Sequence, residues 1–260
     1  MRIARFLYKR RISWGVIENN DISVLKNHPF ARFELTGERI ALSKVLLCSP
    51  ACPSKIILVG LNYRDHAREL EMDVPREPVI FLKPPSALIA HRENIIYPRG
   101  VKRLDYEAEL ALVIKKEGRF IKEKDACDHI LGYGCLNDVT ARDLQKRDGQ
   151  WTRAKSFDTF CPFGPWLETK LQTRELLITA YLNGRVKQAS STSNLIFAVP
   201  FLVSYISRVM TLLPGDIIST GTPPGVGKMK NRDIIEIEIE GIGRLRNQVV
   251  AARGANNAAY

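Results

Sequence analysis

Carboxylates recur at every second position along DYEAELALV, the segment from residue 105 to residue 113. Because side chains alternate between the two faces of a β-strand, Asp105, Glu107 and Glu109 are expected to point to one side. Both sides of the segment become apolar at its far end, so the acids are expected to lie against the core. Packed carboxylates repel each other and lose hydration, which favours binding of a cation. Oxygen-only ligands favour a hard ion such as Mg²⁺ or Mn²⁺.

The alternative for these carboxylates is a solvated strand face. The segment IIEIEIEG illustrates it, because Glu236, Glu238 and Glu240 also share one side of a strand pattern and no apolar residue follows them there. Spacing alone leaves both interpretations open for Glu107 and Glu109.

A histidine and a glutamate, His66 and Glu69, are three residues apart in RDHARELE. On a helix this spacing places both side chains on one face. A carboxylate beside an imidazole raises its basicity and fixes its orientation, so the pair could serve as a general base. The alternative is a surface ion pair.

Two further residues also allow a chemical and a structural interpretation. Asp138 follows a strand pattern and precedes a helix pattern, where an aspartate often serves only in a turn or a cap. Lys155 lies in the apolar and aromatic segment RAKSFDTFCPFGPW. A half-buried lysine there needs an anion, either from the protein or from a substrate. The alternative is a surface lysine with a buried stem.

Other catalytic patterns do not match the sequence. The loop TGTPPGVGK superficially resembles a phosphate-binding loop, but Thr222 stands where the pattern needs a glycine six residues before Lys228. Met229 then follows where Ser or Thr is required. The chain has no GxSxG elbow, and Cys161 has no histidine near it in sequence, so nucleophilic catalysis is unsupported.

Strand patterns outnumber helix patterns among the elements that must position these residues, which indicates a β-rich α+β fold. Residues 1–47 show short strands, and CSPACPS at 48–54 has the composition of a linker, so we expect a domain boundary near residue 53. Residues 64–71 suit a short polar helix. It lacks an apolar stripe, and we expect it to be exposed or mobile.

Four local patterns make specific predictions. Residues 123–130 and the segment ARDLQKR are expected to form helices, the second with Thr140 as its N-cap. Asn183-Gly184 between two extended runs predicts a β-hairpin. Residues 199–210 give the clearest helix pattern, with Pro200 in the first turn. Its predicted apolar face comprises Phe201, Leu202, Tyr205, Ile206 and Val209. The tail GANNAAY is expected to be frayed.

Composition limits the classes of function. The chain has 39 basic and 28 acidic residues, a net charge of +11, but the basic residues are scattered and interleaved with acids. We therefore expect a solvated basic surface that attracts anionic small molecules, with no nucleic-acid partner. A polyanion-binding module is the alternative from another class.

No apolar run approaches about 18 residues and no secretory signal is recognisable, so we expect a soluble, cytoplasmic protein without a membrane partner. The 5 cysteines contain no CxxC pair, which argues against a zinc cage or a disulfide scaffold.

The order of the motifs is more specific than any one of them. The sequence carries VGLNYRDHARELE, EPVIFLKP, DYEAELALVI, GYGCLNDVTARDLQ, AKSFDTFCPFGP, LNG and GDIISTGTPPGVG, in that order. Together they resemble the fumarylacetoacetate hydrolase superfamily from about residue 55 to residue 250. Residues 1–53 resemble, less distinctively, the small N-terminal domain of its bacterial and archaeal members.

The resemblance implies a mixed β-sandwich roll, a catalytic domain over residues 54–253 and a homodimer. It implies Mg²⁺ or Mn²⁺ on Glu107, Glu109 and Asp138. It also implies that His66 and Glu69 form a base dyad on a lid helix that orders over substrate. In addition, Lys155 matches a family lysine that faces the substrate, and three residues match positions that contact the 2-oxo acid: Arg142, Gln145 and Thr222.

The resemblance implies chemistry on a small-molecule 2-oxo acid. We expect a metal-dependent hydrolase that cleaves a C–C bond of acylpyruvates through an enolate held at the metal, a reaction type of aromatic catabolism. The alternative is an isomerase or decarboxylase of unsaturated 2-oxo dicarboxylates or oxaloacetate, because proton transfer and decarboxylation can use the same enolate. The motifs do not choose among these reactions.

Overall fold

The computed structural model describes residues 1–252, and the predicted frayed tail lies outside these residues. Strands dominate the described chain, and the prediction of a β-rich α+β fold is confirmed. The strands are β1 (Arg2–Tyr8), β2 (Arg11–Glu18), β3 (Asp21–Leu25), β4 (Leu35–Ala41), β5 (Leu46–Cys48), β6 (Ile56–Val59), β7 (Ile80–Lys83), β8 (Leu88–Ile89), β9 (Asn94–Tyr97), β10 (Leu104–Tyr106), β11 (Ala108–Ile114), β12 (Ile130–Asn137), β13 (Thr140–Ala141), β14 (Cys161–Glu168), β15 (Leu177–Leu182), β16 (Arg185–Ser191), β17 (Ile217–Ser219), β18 (Gly227–Met229), β19 (Ile234–Ile239) and β20 (Gly243–Ala251). The α-helices are α1 (Arg64–Glu69), α2 (Arg142–Asp148), α3 (Thr152–Lys155) and α4 (Val199–Val209). Short 3₁₀ helices span Leu42–Lys44, Pro85–Ala87, Glu123–His129 and Thr192–Asn194.

Twelve strands form one large sheet in the order β4-β3-β2-β1-β14-β12-β11-β17-β6-β7, with β5 on β1 and β8 on β14. A five-stranded sheet, β16-β15-β19-β20-β9, packs against its centre through contacts of β15, β19 and β20 with β11, β12 and β14. A third sheet, β13-β10-β18, lies beside the predicted acidic residues. The N-terminal strands join the large sheet because β1 pairs antiparallel with β14. The boundary near residue 53 stays a prediction.

The core lies between the two larger sheets. β11 is buried over its whole length, and its side chains alternate between the two largest clusters of apolar residues. Leu110 and Leu112 pack with Ile178 and Ile237 of the five-stranded sheet, while Ala111 belongs to the cluster on the opposite face. A strand buried on both faces has no solvated side, which confirms that the residues leading into it lie against the core.

Several local predictions are confirmed and others are corrected. Asn183 and Gly184 connect β15 to β16, both with positive φ as a primed hairpin turn requires. The predicted helix at 123–130 is a 3₁₀ helix. Thr140 caps no helix, because its hydroxyl donates to the backbone oxygen of Asp138, and Ala141 takes the N-cap position of α2.

The predicted apolar face of α4 is displaced by part of a turn. The buried residues are Val199, Leu202, Val203, Ser204, Ile206 and Ser207, while Val209 is 54% exposed. Phe201 and Tyr205 lie at the edge of the buried face and stack on each other with ring centroids 6.1 Å apart. Ser207 was missed because its hydroxyl accepts the backbone N–H of Ile121, a contact with no apolar signal. Within residues 1–252, no helix has the length and apolarity needed to cross a membrane.

One buried aspartate connects the start of β17 to the segment before β6. Asp216 is fully buried, and its carboxylate accepts from Ser54 Oγ at 2.7 Å, Ser54 N at 3.1 Å, Lys55 N at 3.2 Å and Leu213 N at 2.8 Å. It also pairs with the ammonium group of Lys55. This contact fixes the parallel pairing of β17 with β6.

We expect Asp216→Ala to lower the free energy of unfolding by about 3 kcal/mol, because four hydrogen bonds and the ion pair with Lys55 lose their buried acceptor. The matched control is Asp233→Ala, since the partly exposed Asp233 caps a turn with bonds from Lys230 N at 2.7 Å and Asn183 Nδ2 at 2.9 Å. That variant should lose about 1 kcal/mol. Urea denaturation of both variants checks the difference, and equal losses would contradict it.

Candidate active site

A cavity of about 330 Å³ opens between α1, α2, α3 and the edge of the large sheet, a size that suits a small-molecule ligand. Eight of the nine residues singled out in the sequence line it: His66, Glu107, Glu109, Asp138, Arg142, Gln145, Lys155 and Thr222. The ninth, Glu69, is hydrogen-bonded to His66. The structure thus brings the whole set together, while the catalytic and binding roles of the residues stay predictions.

Glu107, Glu109 and Asp138 form an acidic triad in which one carboxylate oxygen from each lies within 4.8 Å of the others. All three residues are buried. The chain is not one continuous strand here. It passes from β10 to β11 at Glu107, whose N–H donates to Asn137 Oδ1 and whose carbonyl accepts from Asp138 N, both at about 3 Å. This junction brings Asp138 beside the two glutamates.

The acidic triad fits a hard divalent cation. Its donors are carboxylate oxygens only, the ligand type that Mg²⁺ and Mn²⁺ prefer. Asp138 Oδ1 is buried and has no hydrogen-bond partner within the described chain, where its charged neighbour is Lys83 Nζ at 2.8 Å. A buried carboxylate oxygen without a hydrogen bond fits a ligand atom of a metal ion. Asp105 does not belong to the triad, because its carboxylate is held by Arg103 and Arg142 at 2.8 and 2.9 Å.

The ammonium group of Lys155 forms ion pairs with two of the three acids. Its Nζ lies 2.9 Å from Glu107 Oε2 and 2.5 Å from Asp138 Oδ2, and the residue is only 2% exposed. Lys155 is therefore buried and paired with protein carboxylates, which excludes the surface interpretation. Burial alone would lower the pKa of Lys155, but the charges of Asp138 and Glu107 outweigh it and raise that pKa. The lysine stays charged.

Arg142, like Lys155, is held by several protein groups. Its guanidinium donates to Asp105 Oδ2 at 2.9 Å, to Gln145 Oε1 at 2.6 Å and to the carboxylate of Glu107. Burial raises the pKa of Glu107 by itself, but the positive charges of Lys155 and Arg142 lower it below its ordinary value. The predicted role of Arg142 and Gln145 as substrate contacts stays a prediction, because the described bonds are all to protein groups.

Glu109 has the opposite electrostatic environment. Burial, then the charges of Asp138 and Glu107, raise the pKa of Glu109 well above its ordinary value. Its Oε2 accepts from the hydroxyl of Ser219 and from Gly221 N at 3.0 Å. Only glycine suits position 221, since its φ is +91° and a Cβ would lie 2.9 Å from the Asn62 side chain.

The His66–Glu69 pair forms at the mouth of the cavity. Nδ1 of His66 lies 2.8 Å from Glu69 Oε2, and Glu69 Oε1 accepts from Gly225 N at 3.0 Å. With Nδ1–H given to a carboxylate, the neutral imidazole keeps its lone pair on Nε2, which is the arrangement of a general base. No group among residues 1–252 is hydrogen-bonded to Nε2.

The helix α1 that carries this pair has little apolar anchoring, since Ala67 is its only buried residue. Polar contacts hold it instead. Asp65 Oδ2 accepts from Ser190 Oγ and from Asn194 Nδ2 at 3.1 Å, and Arg64 donates to the carbonyl of Leu195. These contacts were missed because nothing in the local pattern RDHARELE shows them. That α1 orders over a ligand stays a prediction.

Sequence reasoning also missed Lys83 of β7. Its Nζ donates to the carbonyls of Val139 at 2.9 Å, Lys155 at 2.6 Å and Phe160 at 2.8 Å, and it lies 2.8 Å from Asp138 Oδ1. Because the three N–H groups are used by carbonyls, the contact with the carboxylate is one of charge only. A lysine inside the apolar strand pattern VIFLKP was the available signal.

Most of the rest of the lining is apolar. It includes Leu70, Met72, Phe81 and Trp151. Phe81 and Trp151 meet edge to face with centroids 5.2 Å apart, a favourable aromatic contact within this wall. Lys146 at the rim is exposed and has no acidic partner within the described chain. The cavity is therefore lined by both charged and apolar side chains, which meet where the ring of Phe81 lies 5.2 Å from Lys155 Nζ.

The raised pKa of Glu109 gives a pH-dependent prediction for protein kept in EDTA. Because folding favours protonated Glu109, its contribution to stability is present below about pH 4.5, the ordinary glutamate value, and is lost as the pH rises toward the folded pKa. Glu109→Gln removes this loss. We expect the variant to melt above the wild type at pH 8 and with it at pH 4.

Calorimetry with Mn²⁺ completes this test, and Glu109→Gln should bind the ion at least about tenfold more weakly because one charged ligand is gone. The control is Glu236→Gln, since Glu236 is a buried strand glutamate paired with Arg246 at 3.4 Å and Arg244 at 3.8 Å. It should gain no stability at pH 8 and keep its Mn²⁺ affinity. Unchanged Mn²⁺ affinity in Glu109→Gln would contradict the site assignment.

Comparisons with known proteins agree with this geometry. The fumarylacetoacetate (FAA) hydrolase C-terminal family matches residues 55–250, and an Rv2993c-like N-terminal family matches residues 1–50. Oxaloacetate tautomerase YisK of Bacillus subtilis is 45% identical over 83% of this chain and 77% of its own length.

Solved structures give the same result. The 5-carboxymethyl-2-hydroxymuconate delta-isomerase of Mycobacterium smegmatis superimposes with a TM-score of 0.92 at 41% identity, covering 97% of this chain and all of its own. The maleylpyruvate hydrolase of Sphingobium sp. SYK-6, solved with manganese(II) and pyruvate, covers 97% of this chain and 100% of its own with a TM-score of 0.82 at 31% identity. The chain belongs to the fumarylacetoacetate hydrolase family.

Proposed function

We propose that this chain is a divalent-metal-dependent enzyme of 2-oxo acids that catalyses keto–enol tautomerisation of oxaloacetate or a related 2-oxo dicarboxylate. The observation that carries the proposal is the His66–Glu69 pair, which places a free imidazole nitrogen at the cavity that holds the acidic triad. Relatives that are 44–45% identical and are oxaloacetate tautomerases support this reaction.

Glu107, Glu109 and Asp138 would hold Mg²⁺ or Mn²⁺, which when bound acts as a Lewis acid toward the oxygens of a 2-oxo acid. The protein supplies the remaining steps. His66 Nε2 takes a proton from the carbon beside the oxo group, and Glu69 stabilises the imidazolium that results. Return of the proton to the oxo oxygen completes the enol, and the reverse sequence gives the ketone.

The ammonium of Lys155 contributes a fixed positive charge beside the acids, where it stabilises negative charge that develops on the oxo oxygen. Lys146 supports the choice of a dicarboxylate. Of the cations that line the cavity, Lys155 and Arg142 are already paired with protein acids, whereas Lys146 at the rim has no acidic partner within residues 1–252. A second carboxylate on the substrate would pair with it.

Hydrolysis of an acylpyruvate-type 2-oxo acid is the second candidate. It is supported by the structural similarity to a maleylpyruvate hydrolase and by the same His66–Glu69 pair, which could activate a water instead of a carbon acid. The apolar wall formed by Phe81 and Trp151 would pack against the acyl group. Decarboxylation of oxaloacetate needs no attacking water and is a third outcome of the same assay.

The test is a panel assay with Mg²⁺ or Mn²⁺ on oxaloacetate, acetylpyruvate, fumarylpyruvate and a hepta-diene-dioate. Decay of the ultraviolet absorbance of enol-oxaloacetate reports tautomerisation, and product analysis reports C–C cleavage or loss of CO₂. We expect oxaloacetate tautomerisation to be fastest and to stop in EDTA. If only acetylpyruvate or fumarylpyruvate is consumed, hydrolysis replaces tautomerisation as the proposed function.

Within this proposal, His66→Ala and Glu69→Ala should act as a unit, because the base needs its orienting carboxylate. Each variant is expected to lose at least about 100-fold in kcat, the ordinary contribution of a general base, and the double variant little more than the worse single one. Arg68→Ala on the same helix is the control, since Arg68 is exposed. Multiplicative losses in the double variant would mean that the two residues act independently.

The short helix α1 gives a prediction about motion. Since it is held by hydrogen bonds rather than by apolar packing, we expect residues 62–74 to exchange amide hydrogens rapidly in the free protein. Mn²⁺ together with oxalate, a mimic of the pyruvate enolate, should slow this exchange, and neither should do so alone. Equal protection in the free and the doubly liganded protein would show a preformed site.

A further inference from the structure

Gln188 on β16 connects two walls of the cavity although it does not line it. The residue is 1% exposed, and its amide group makes three hydrogen bonds. Oε1 accepts from Ala108 N at 2.9 Å, while Nε2 donates to Thr222 Oγ1 at 2.9 Å and to the carbonyl of Pro223 at 2.8 Å. Ala108 stands between Glu107 and Glu109, so one amide joins the strand of the acids to the loop that carries Thr222.

The orientation of this amide is fixed by its partners. A backbone N–H can only donate and a backbone carbonyl can only accept, so Oε1 must face Ala108 and Nε2 must face Pro223. The second N–H of Nε2 then points at Thr222 Oγ1. The hydroxyl of Thr222 is therefore an acceptor in this contact.

The direction of this hydrogen bond determines which further contact the Thr222 hydroxyl can make. A hydroxyl that accepts from Gln188 keeps its single hydrogen for another partner. No oxygen among residues 1–252 accepts from Thr222 Oγ1, and the residue lines the cavity one position after Gly221, whose N–H is bonded to Glu109. The hydrogen is thus available to an acceptor inside the cavity.

We infer that Gln188 is a positioning residue that makes Thr222 a hydrogen-bond donor to an anionic oxygen of the substrate. The inference rests on the proposed function, because it assumes that a 2-oxo acid occupies the cavity. The two cations that line the cavity beside the acidic triad, Lys155 and Arg142, are already engaged by protein acids. A neutral donor with its direction fixed in advance attracts a carboxylate or enolate oxygen without a further buried charge.

The test is a double-mutant cycle with oxalate as the probe and Mn²⁺ present, measured by calorimetry. Thr222→Val removes the donor and should weaken oxalate binding about tenfold, the typical effect of one hydrogen bond to a charged group. Gln188→Met removes the positioning amide and should produce a similar loss. Because the two changes disable one interaction, the double variant should be no weaker than about tenfold.

Two further variants keep the test falsifiable. Asn247→Leu is the matched control, since Asn247 is a buried amide that donates to the carbonyls of Ala90 and Glu93, both at 2.8 Å, and does not line the cavity. It should lose stability and keep its oxalate affinity. Gln188→Glu serves if Gln188→Met does not fold. Its carboxylate would draw the Thr222 hydrogen toward itself, so the same loss of binding is expected.

The outcomes separate this inference from the proposed function. Losses that multiply to about 100-fold in the double variant, or wild-type oxalate affinity in Gln188→Met, would overturn the role of Gln188 alone. A loss in Asn247→Leu equal to that in Gln188→Met would also overturn it, because the effect would then be general. Failure of the wild type to bind oxalate with Mn²⁺ would overturn the proposed function, and this inference with it.

Discussion

Charge balance within one buried volume is the constraint on which the rest of the structure depends. Three acids and three cations form ion pairs in this space, and none of them is more than partly exposed: Asp105, Glu107, Asp138, Lys83, Arg142 and Lys155. Glu109 has no cationic partner among the described residues, and burial and the neighbouring acids raise its pKa. A buried charge without a partner costs several kcal/mol, so these side chains are tolerated only if the elements that carry them meet in one arrangement. The junction of β10 and β11, the turn after β12 and the ends of β7 and α3 are held in place by that requirement.

The same balance limits how a substrate can be recognised. Lys155 and Arg142 are committed to protein carboxylates, and Lys83 is committed to backbone carbonyls. Beside the metal ion that the acids would hold, the proposed function therefore leaves recognition of an anion to groups outside this balance, namely the Thr222 hydroxyl and the exposed ammonium of Lys146. In the proposed function, specificity would then depend on the direction of the Thr222 hydroxyl and the reach of the Lys146 side chain more than on the amount of positive charge.

The helix α1 is held in place by a different kind of interaction from the one that stabilises the core. It buries almost no apolar surface and is attached by hydrogen bonds. The carboxylates of Asp65 and Glu69 accept from the segment 190–194 and from residue 225, and Arg64 donates to the carbonyl of Leu195. Hydrogen bonds can be exchanged for bonds to water at little net cost, whereas apolar packing cannot. This difference is the physical reason for the prediction that α1 moves while the sheets keep their arrangement.

Local patterns in the sequence predicted the strand-rich fold, the hairpin at Asn183-Gly184 and the pairing of His66 with Glu69. Each of these features depends on residues that are close in sequence and on the regular spacing of a strand, a turn or a helix. The order of the motifs identified the family and the acids. Only the tertiary structure decided the contacts of Lys83 and Gln188, whose partners lie 55 to 77 and 34 to 80 residues away, respectively. The same holds for the interruption of the strand at Glu107 between β10 and β11. It also holds for the Thr140 hydroxyl, which donates to the carbonyl of Asp138 instead of capping a helix. A single buried polar side chain has no periodic signal, since its partners are chosen by which unsatisfied groups the packed elements bring within hydrogen-bonding distance.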